Sequence, residues 1–301
     1  MSPERRSGTV ALVGRPNAGK STLMNRLVAE KVAIVSNKPQ TTRQRIVGIL
    51  TGARGQMVFL DTPGFHKPLH RMNRQMVRLA QDALEEADVV CLLVDASTAF
   101  GAGDARMLEI MAEAPGRRVL ALNKIDLVAK PKLLPRLERY AATGLFEELV
   151  PVSALTGDGC DPLLDLFWER LPTGEPLHDP GLYTPHSERF LAAERIREKV
   201  LERTRDELPY TTAVRLDSWE EQSSGRLVLH ATILVERPGH KKILVGKEGS
   251  MIRDIGTAAR LDLQQLLGRP VHLELFVRLE PGWRENRHLL ADLDRHVIAG
   301  V

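Results

Sequence analysis

The sequence predicts two domains: an α/β domain on a mixed, mostly parallel six-stranded sheet, then a smaller α+β domain. Three observations predict this. Apolar runs alternate with amphipathic segments from residue 10 to about residue 172, the pattern of a largely parallel sheet with helices on both faces. Pro172, Gly174, Pro176, Pro180 and Gly181 then crowd one short stretch, and breakers at that density mark a linker. Beyond it, helical and period-two segments follow in the order α-β-β-α-α-β. The expected boundaries are a first domain over 1–173, a linker over 174–185, a second domain over 186–281 and a tail over 282–301.

In the first domain, strands are expected at 10–13, 45–50, 57–60, 89–94, 119–122 and 149–152. Helices are expected at 23–30, 72–87, 104–114, 132–140 and 162–171. The turn holding Gly52 and Gly55 is too short for a crossover, so the second and third strands pair antiparallel. In the second domain, Phe190, Leu191, Ile196 and Val200 recur at helical spacing within 188–206. Strand-like runs at 213–220 and 227–236 flank the polar turn Gln222, Ser223, Ser224, Gly225 and should form a hairpin. A short segment at 240–245 precedes a helix at 250–267, with Ser250 as its N-cap. The run 271–279 puts Val271, Leu273, Leu275, Val277 and Leu279 on one face of a last strand. Trp219 and Trp283 read as packing residues, and the tail from 283 has a helical look.

A chain of 301 residues is long enough for two cores. Its apolar content of 43% and charged content of 27% are those of an ordinary soluble protein. No apolar run reaches the length of a membrane span, and residues 1–9 hold no signal-peptide core, so a cytoplasmic location is expected. Cys91 and Cys160 stand far apart without a partner pattern, which argues against a disulfide framework or a zinc site. Cys91 falls in an apolar run and should be a buried small hydrophobe. The net charge of +3 hides no basic tail, since residues 181–301 carry 19 Lys/Arg against 18 Asp/Glu. Any nucleic-acid binding must therefore come from a local site.

The motif G-x-x-x-x-G-K-[ST] is met at Gly14, Gly19, Lys20 and Ser21, between a strand and a helix. Glycines let backbone N–H groups come close enough to wrap a phosphate, and the helix N-terminus adds its dipole. Asn17, Ala18, Gly19 and Thr22 would surround the phosphates. Lys20 would reach the β- and γ-phosphates, and Ser21 would bind Mg²⁺. Four further motifs fall where strands should end. Asp61-Thr62-Pro63-Gly64 offers a carboxylate that can hold Mg²⁺ through water and a Gly64 N–H for a γ-phosphate. Asn123-Lys124-Ile125-Asp126 offers a carboxylate that can accept both N1–H and N2–H₂ of guanine and would repel adenine N1. Asn123 can bond the base edge and brace the phosphate loop, while the Lys124 stem covers the ring. Ser153-Ala154 offers an N–H for guanine O6. Gln40-Thr41-Thr42-Arg43 can bring a hydroxyl to Mg²⁺, with Thr42 preferred and Thr41 as the alternative. The catalytic set on this reading is Lys20, Thr42, Gly64 and Asn17.

In the second domain, Gly246-Lys247-Glu248-Gly249 lies between two helical segments. Two glycines allow backbone to meet backbone, and the helix starting at Ser250 faces phosphate, which suits single-stranded RNA. Lys241, Lys242, Lys247 and Arg253 add local charge.

Taken in order, G-x-P-N-x-G-K-S, T-T-R, D-T-P-G, N-K-x-D and S-A resemble the five signatures of TRAFAC-class GTPases. The second domain is similar to type II KH domains. Together they make nearly the whole chain resemble the Era-like GTPases. That resemblance implies binding of GTP and GDP with Mg²⁺, slow hydrolysis coupled to assembly of the small ribosomal subunit, and RNA recognition near the 3′ end of 16S rRNA. It also implies a monomer and peripheral contact with the inner membrane. Phe65 stands where Ras-like enzymes carry a water-orienting Gln. The chain resembles instead those GTPases with a hydrophobic residue there, in which the loop Asn often helps bind K⁺. Two readings of Asn17 stay open, a K⁺ ligand or a brace of the loop. Two rival functions also stay open: an RNA-binding assembly factor whose nucleotide is mainly structural, and a GTPase of RNA modification or translation. No further catalytic constellation follows residue 181, and the single phosphate loop excludes tandem GTPase domains.

Overall fold

The computed structural model describes residues 5–65, 70–295 and 297–298. Expectations that touch residues 1–4, 66–69, 296 and 299–301, including the end of the tail, lie outside the described residues. The chain divides into two compact units, and the division near residue 185 assigns 186–301 to the second.

The first unit contains β1 (Arg6–Gly14), α1 (Lys20–Val28), β2 (Ile46–Gly52), β3 (Gly55–Asp61), α2 (Arg71–Glu86) and β4 (Val89–Asp95). It continues with α3 (Ala102–Glu113), β5 (Arg117–Asn123), α4 (Leu133–Ala141), β6 (Glu148–Pro151) and α5 (Cys160–Arg170). The strands form one six-stranded sheet in the order β2-β3-β1-β4-β5-β6. Only the β2–β3 pair is antiparallel, as the short turn between them requires. β1 extends earlier than its apolar run because Arg6, Ser7, Gly8 and Thr9 pair with β3 through backbone alone. Val10, Ala11, Leu12 and Val13 are fully buried, and each large side chain so covered contributes about 1.5–3 kcal/mol. Cys91 is buried among them, and burial pushes its thiol well up from the ordinary value. The parallel registers align the carboxyl ends of β1, β3, β4 and β5, so that Leu12 stands beside Asp61 and Asp95 beside Asn123. Residues 178–184 run along this unit, where Tyr183 O accepts from Ile49 N and Thr184 Oγ1 donates to Val47 O.

The second unit contains α6 (Glu188–Arg203), β7 (Thr212–Glu221), β8 (Leu227–Val235), α7 (Pro238–Val245), α8 (Ser250–Leu267), β9 (Val271–Leu279) and α9 (Arg287–Asp294). The order through β9 is the expected α-β-β-α-α-β. The sheet runs β7-β8-β9, with β7–β8 an antiparallel hairpin and β8–β9 parallel. Leu227, Leu229, Ala231, Ile233 and Val235 of β8 are buried against α6 and α8, and the alternating leucines and valines of β9 pack on the same core. Trp283 is buried and donates from its indole to Thr211 O at 3.0 Å, so it packs rather than stacks on a ligand.

Two sequence expectations need correction here. The helix expected over 188–206 ends at Arg203, because Thr204 turns extended and its hydroxyl donates to Val200 O at 2.7 Å. Ser250 is the first residue of α8 rather than its N-cap. Gly249 occupies the cap position with φ 77°, a left-handed conformation that glycine adopts without a Cβ clash.

Candidate functional site

The carboxyl ends of the first-unit strands open on a cavity of about 550 Å³, lined among others by Asn17, Lys20, Ser21, Thr42, Gly64 and Lys124. Two glycines shape its floor. Gly14 has φ 151°, and a Cβ there would strike Leu93 O; Gly19 has φ 98°, and a Cβ there would strike the Asn123 amide. Lys20 opens α1 and is buried, and its ammonium donates to Gly14 O and Arg15 O, each at 3.2 Å. Asp61 closes β3 with no exposure. Ser21 Oγ donates to Asp61 Oδ2 at 2.5 Å, and Thr42 Oγ1 lies 3.0 Å from Ser21 Oγ and 3.3 Å from the same carboxylate oxygen. Burial pushes the Asp61 carboxyl up and the Lys20 ammonium down from their ordinary values, and the attraction between the two charges opposes both shifts.

Three hard oxygen donors thus converge, the ligand type that Mg²⁺ takes. Among the described residues Asp61 Oδ1 is buried with no hydrogen-bond partner, a lone pair open to a further donor such as a metal-bound water. These residues fit a Mg²⁺ site. The Thr41 hydroxyl donates to Lys38 O at 2.7 Å. Gly64 lies against Pro16, where a Cβ would come within 2.8 Å of the Pro16 nitrogen. Its strand end is anchored by the buried Thr62 hydroxyl, which donates to Leu12 O at 3.0 Å. Phe65 packs on the apolar core instead of presenting a polar group. Asn17 has φ 64° and donates to Asn37 O at 2.8 Å, joining the loop at 14–19 to the segment before Thr42.

The base end is built on one bracket. Asn123 donates to Ala18 O at 2.7 Å and accepts from Ala154 N at 2.9 Å. Both ends of its amide therefore brace the loop and the 153–154 turn, and the Ala154 N–H is held by Asn123. Asp126 is exposed and receives the Ser153 hydroxyl at 2.6 Å on one oxygen, leaving the other for a donor pair. Lys124 takes a left-handed φ of 65° and pairs with Asp95 at 2.7 Å. Asp95 and Asn37 escaped sequence reasoning. A carboxylate ending the apolar run 89–94 was the one signal for Asp95; for Asn37 there was none.

In the second unit, Lys247 and Glu248 are exposed at the turn into α8, as are Lys241, Lys242, Ser250 and Arg253. Gly246 has φ 74°, and a Cβ there would press on Met251 N at 2.7 Å. Glu248 is also left-handed, at φ 52°. Arg253 donates to the Glu248 carbonyl and clasps the turn. The loop stands at the surface, with Lys247 and Glu248 exposed and Gly246 and Gly249 half-buried, where it can meet a phosphodiester strand.

A family model described as a 50S ribosome-binding GTPase matches residues 9–124, and a KH domain model matches 207–284. GTPase Era of Geobacter metallireducens is 46% identical over 289 residues, covering 96% of this chain and 97% of its own. GTPase Era of Heliobacterium modesticaldum is 43% identical over 285 residues, covering 95% of each. A crystal structure of an Aquifex aeolicus Era variant bound to GDP and AlF4⁻ superposes with a TM-score of 0.91 at 36% identity, over 96% of this chain and 98% of that one. A crystal structure of Era with MgGDPNP and nucleotides 1506–1542 of 16S ribosomal RNA superposes with a TM-score of 0.93, at the same identity and coverage.

Proposed function

Since the chain belongs to the GTPase Era family, a family of GTPases with a C-terminal KH domain, we propose that it is a GTP-driven switch in 16S rRNA processing and small-subunit assembly. The nucleotide site binds GTP or GDP with Mg²⁺. On this reading Lys20 reaches the β- and γ-phosphates and offsets charge developing on them. Ser21 and Thr42 hold Mg²⁺ directly and Asp61 through water, and the metal supplies neutralisation of phosphate charge. The Gly64 N–H meets the γ-phosphate. Asp126 reads guanine N1 and N2, with Lys124 over the ring and Ser153 and Ala154 closing the pocket.

Phe65 cannot orient a water by hydrogen bonding, so intrinsic hydrolysis is slow and charge stabilisation must come from elsewhere. A K⁺ ion beside Asn17 is the proposed source. The RNA site is Gly246–Gly249 with Lys241, Lys242, Lys247, Glu248, Ser250 and Arg253, and its target is single-stranded RNA near the 3′ end of 16S rRNA. The observation that carries the reading is the Era structure holding both MgGDPNP and 16S nucleotides, whose fold this chain shares over 96% of its length. The domain limits at 173, 185 and 281, a monomeric state, a cytoplasmic location and peripheral inner-membrane contact belong to the same proposal. No helix among the described residues is long and apolar enough to cross a membrane.

The test is twofold. Crosslinking in cells followed by sequencing of bound RNA should recover the 16S 3′ region. RNA affinity should differ among the GTP, GDP and nucleotide-free states, because coupling between two sites is reciprocal. Equal affinity in all three states would leave a nucleotide that only stabilises the fold.

A further inference from the structure

Arg15 follows Gly14 in the phosphate loop, and its backbone carbonyl is one of the two acceptors of the Lys20 ammonium. The same carbonyl accepts from Ala18 N at 3.2 Å, closing the turn of the loop. The side chain turns toward α3, and Arg15 and Asp104 both line the cavity. Its guanidinium donates to Asp104 Oδ2 at 2.8 Å, at the start of α3. Asp104 is 6% exposed at its side chain against 43% for Arg15, so the carboxylate is the fixed partner. The same Oδ2 accepts from Gly101 N at 2.9 Å and caps α3. Gly103 makes room for the arm: a Cβ there would lie 2.7 Å from Arg15 Nε and 3.1 Å from Cζ. The sequence motifs name none of these three residues, and a cap alone would need neither the arm nor the gap.

We propose that Asp104 and Gly103 are positioning residues for the phosphate loop. Acting through Arg15, they hold the Arg15 carbonyl, and with it the Lys20 ammonium, at the phosphate end of the pocket. The proposal rests on the nucleotide reading above. Nucleotide release should therefore depend on the Arg15–Asp104 pair, and α3 becomes a mechanical part of the nucleotide site.

The experiment measures GDP dissociation with a fluorescent GDP, and kcat and KM for GTP, on the full chain. Asp104→Asn keeps an acceptor for Gly101 N and removes the charge. It should unfold within a few degrees of the wild type yet release GDP about fivefold faster, the scale of one partly exposed charged hydrogen bond. Gly103→Val should do the same by evicting the arm. Arg15→Ala should speed release to a similar degree, and adding Asp104→Asn to it should change nothing further, because the pair acts as a unit. Additive effects in the double variant, or unchanged release in Asp104→Asn, would overturn the proposal. Lys20→Ala separates the two levels. If that variant holds GDP as tightly as the wild type, the nucleotide reading itself fails; if it loses GDP, the outcome of the Arg15–Asp104 cycle decides the positioning role.

Discussion

Asn123 donates to the Ala18 carbonyl across 2.7 Å and so joins segments 105 residues apart. One amide holds the phosphate end and the base end of the pocket in fixed register, since its oxygen is taken by Ala154 N. Asn123→Ala leaves a buried carbonyl and a buried N–H without partners, which costs about 1–3 kcal/mol for each such group. The expected result is a lowered midpoint in denaturant unfolding together with weaker GDP binding. An unchanged midpoint would show that the bracket is idle.

Asp126→Asn should narrow the preference for GTP over ATP. A carboxylate accepts two adjacent guanine N–H groups, while an amide oxygen with its NH₂ presents one acceptor and one donor group. Competition binding of the two nucleotides should show selectivity falling by at least about tenfold, the worth of one charge-assisted hydrogen bond.

Asp95 sets a pH dependence. Burial would raise its carboxyl, but Lys124 and the Ser97 hydroxyl and N–H outweigh burial and hold it below the ordinary 3.8. A carboxylate lowered by folding stabilises the fold above its unfolded value, and loses that contribution as pH falls through the folded one. Thermal unfolding of wild type and Asp95→Asn should therefore differ most near neutral pH and converge well below pH 3.8. Freed from its partner, Lys124 should also bind guanine less well.

Gly249→Asp should cut RNA affinity by more than about tenfold, because a carboxylate would meet phosphate. Space is available, since among the described residues a Cβ would find only Arg253 Nη2 at 3.5 Å and Nε at 3.9 Å, and Asp, which occasionally visits the left-handed region, carries less backbone strain there than most side chains. GDP binding should be unaffected. Gly246→Asp is the poorer probe, since its Cβ would collide with the backbone of Met251.

GTP hydrolysis should run faster in K⁺ than in Na⁺, and Asn17→Ala should abolish the difference. Equal rates in the two salts would leave Asn17 as the brace to Asn37 that its 2.8 Å hydrogen bond describes.

The sequence by itself determined the layers, the antiparallel β2–β3 pair, both glycine-shaped loops and several residues that line the cavity at the strand ends, Asn17, Lys20, Ser21, Thr42, Gly64 and Lys124 among them. Each is a local matter: a period of two or 3.6, a connection too short to cross over, or a backbone that must approach a ligand closely. Tertiary structure decided what pairs with what. It took Thr42 to Ser21, gave the cap of α8 to Gly249, and set Asp95 on Lys124, Asn37 on Asn17 and Asp104 on Arg15. Those partners lie up to 89 residues apart in the chain. Their meeting depends on strand register and on the seating of α3, which no local pattern of residues encodes.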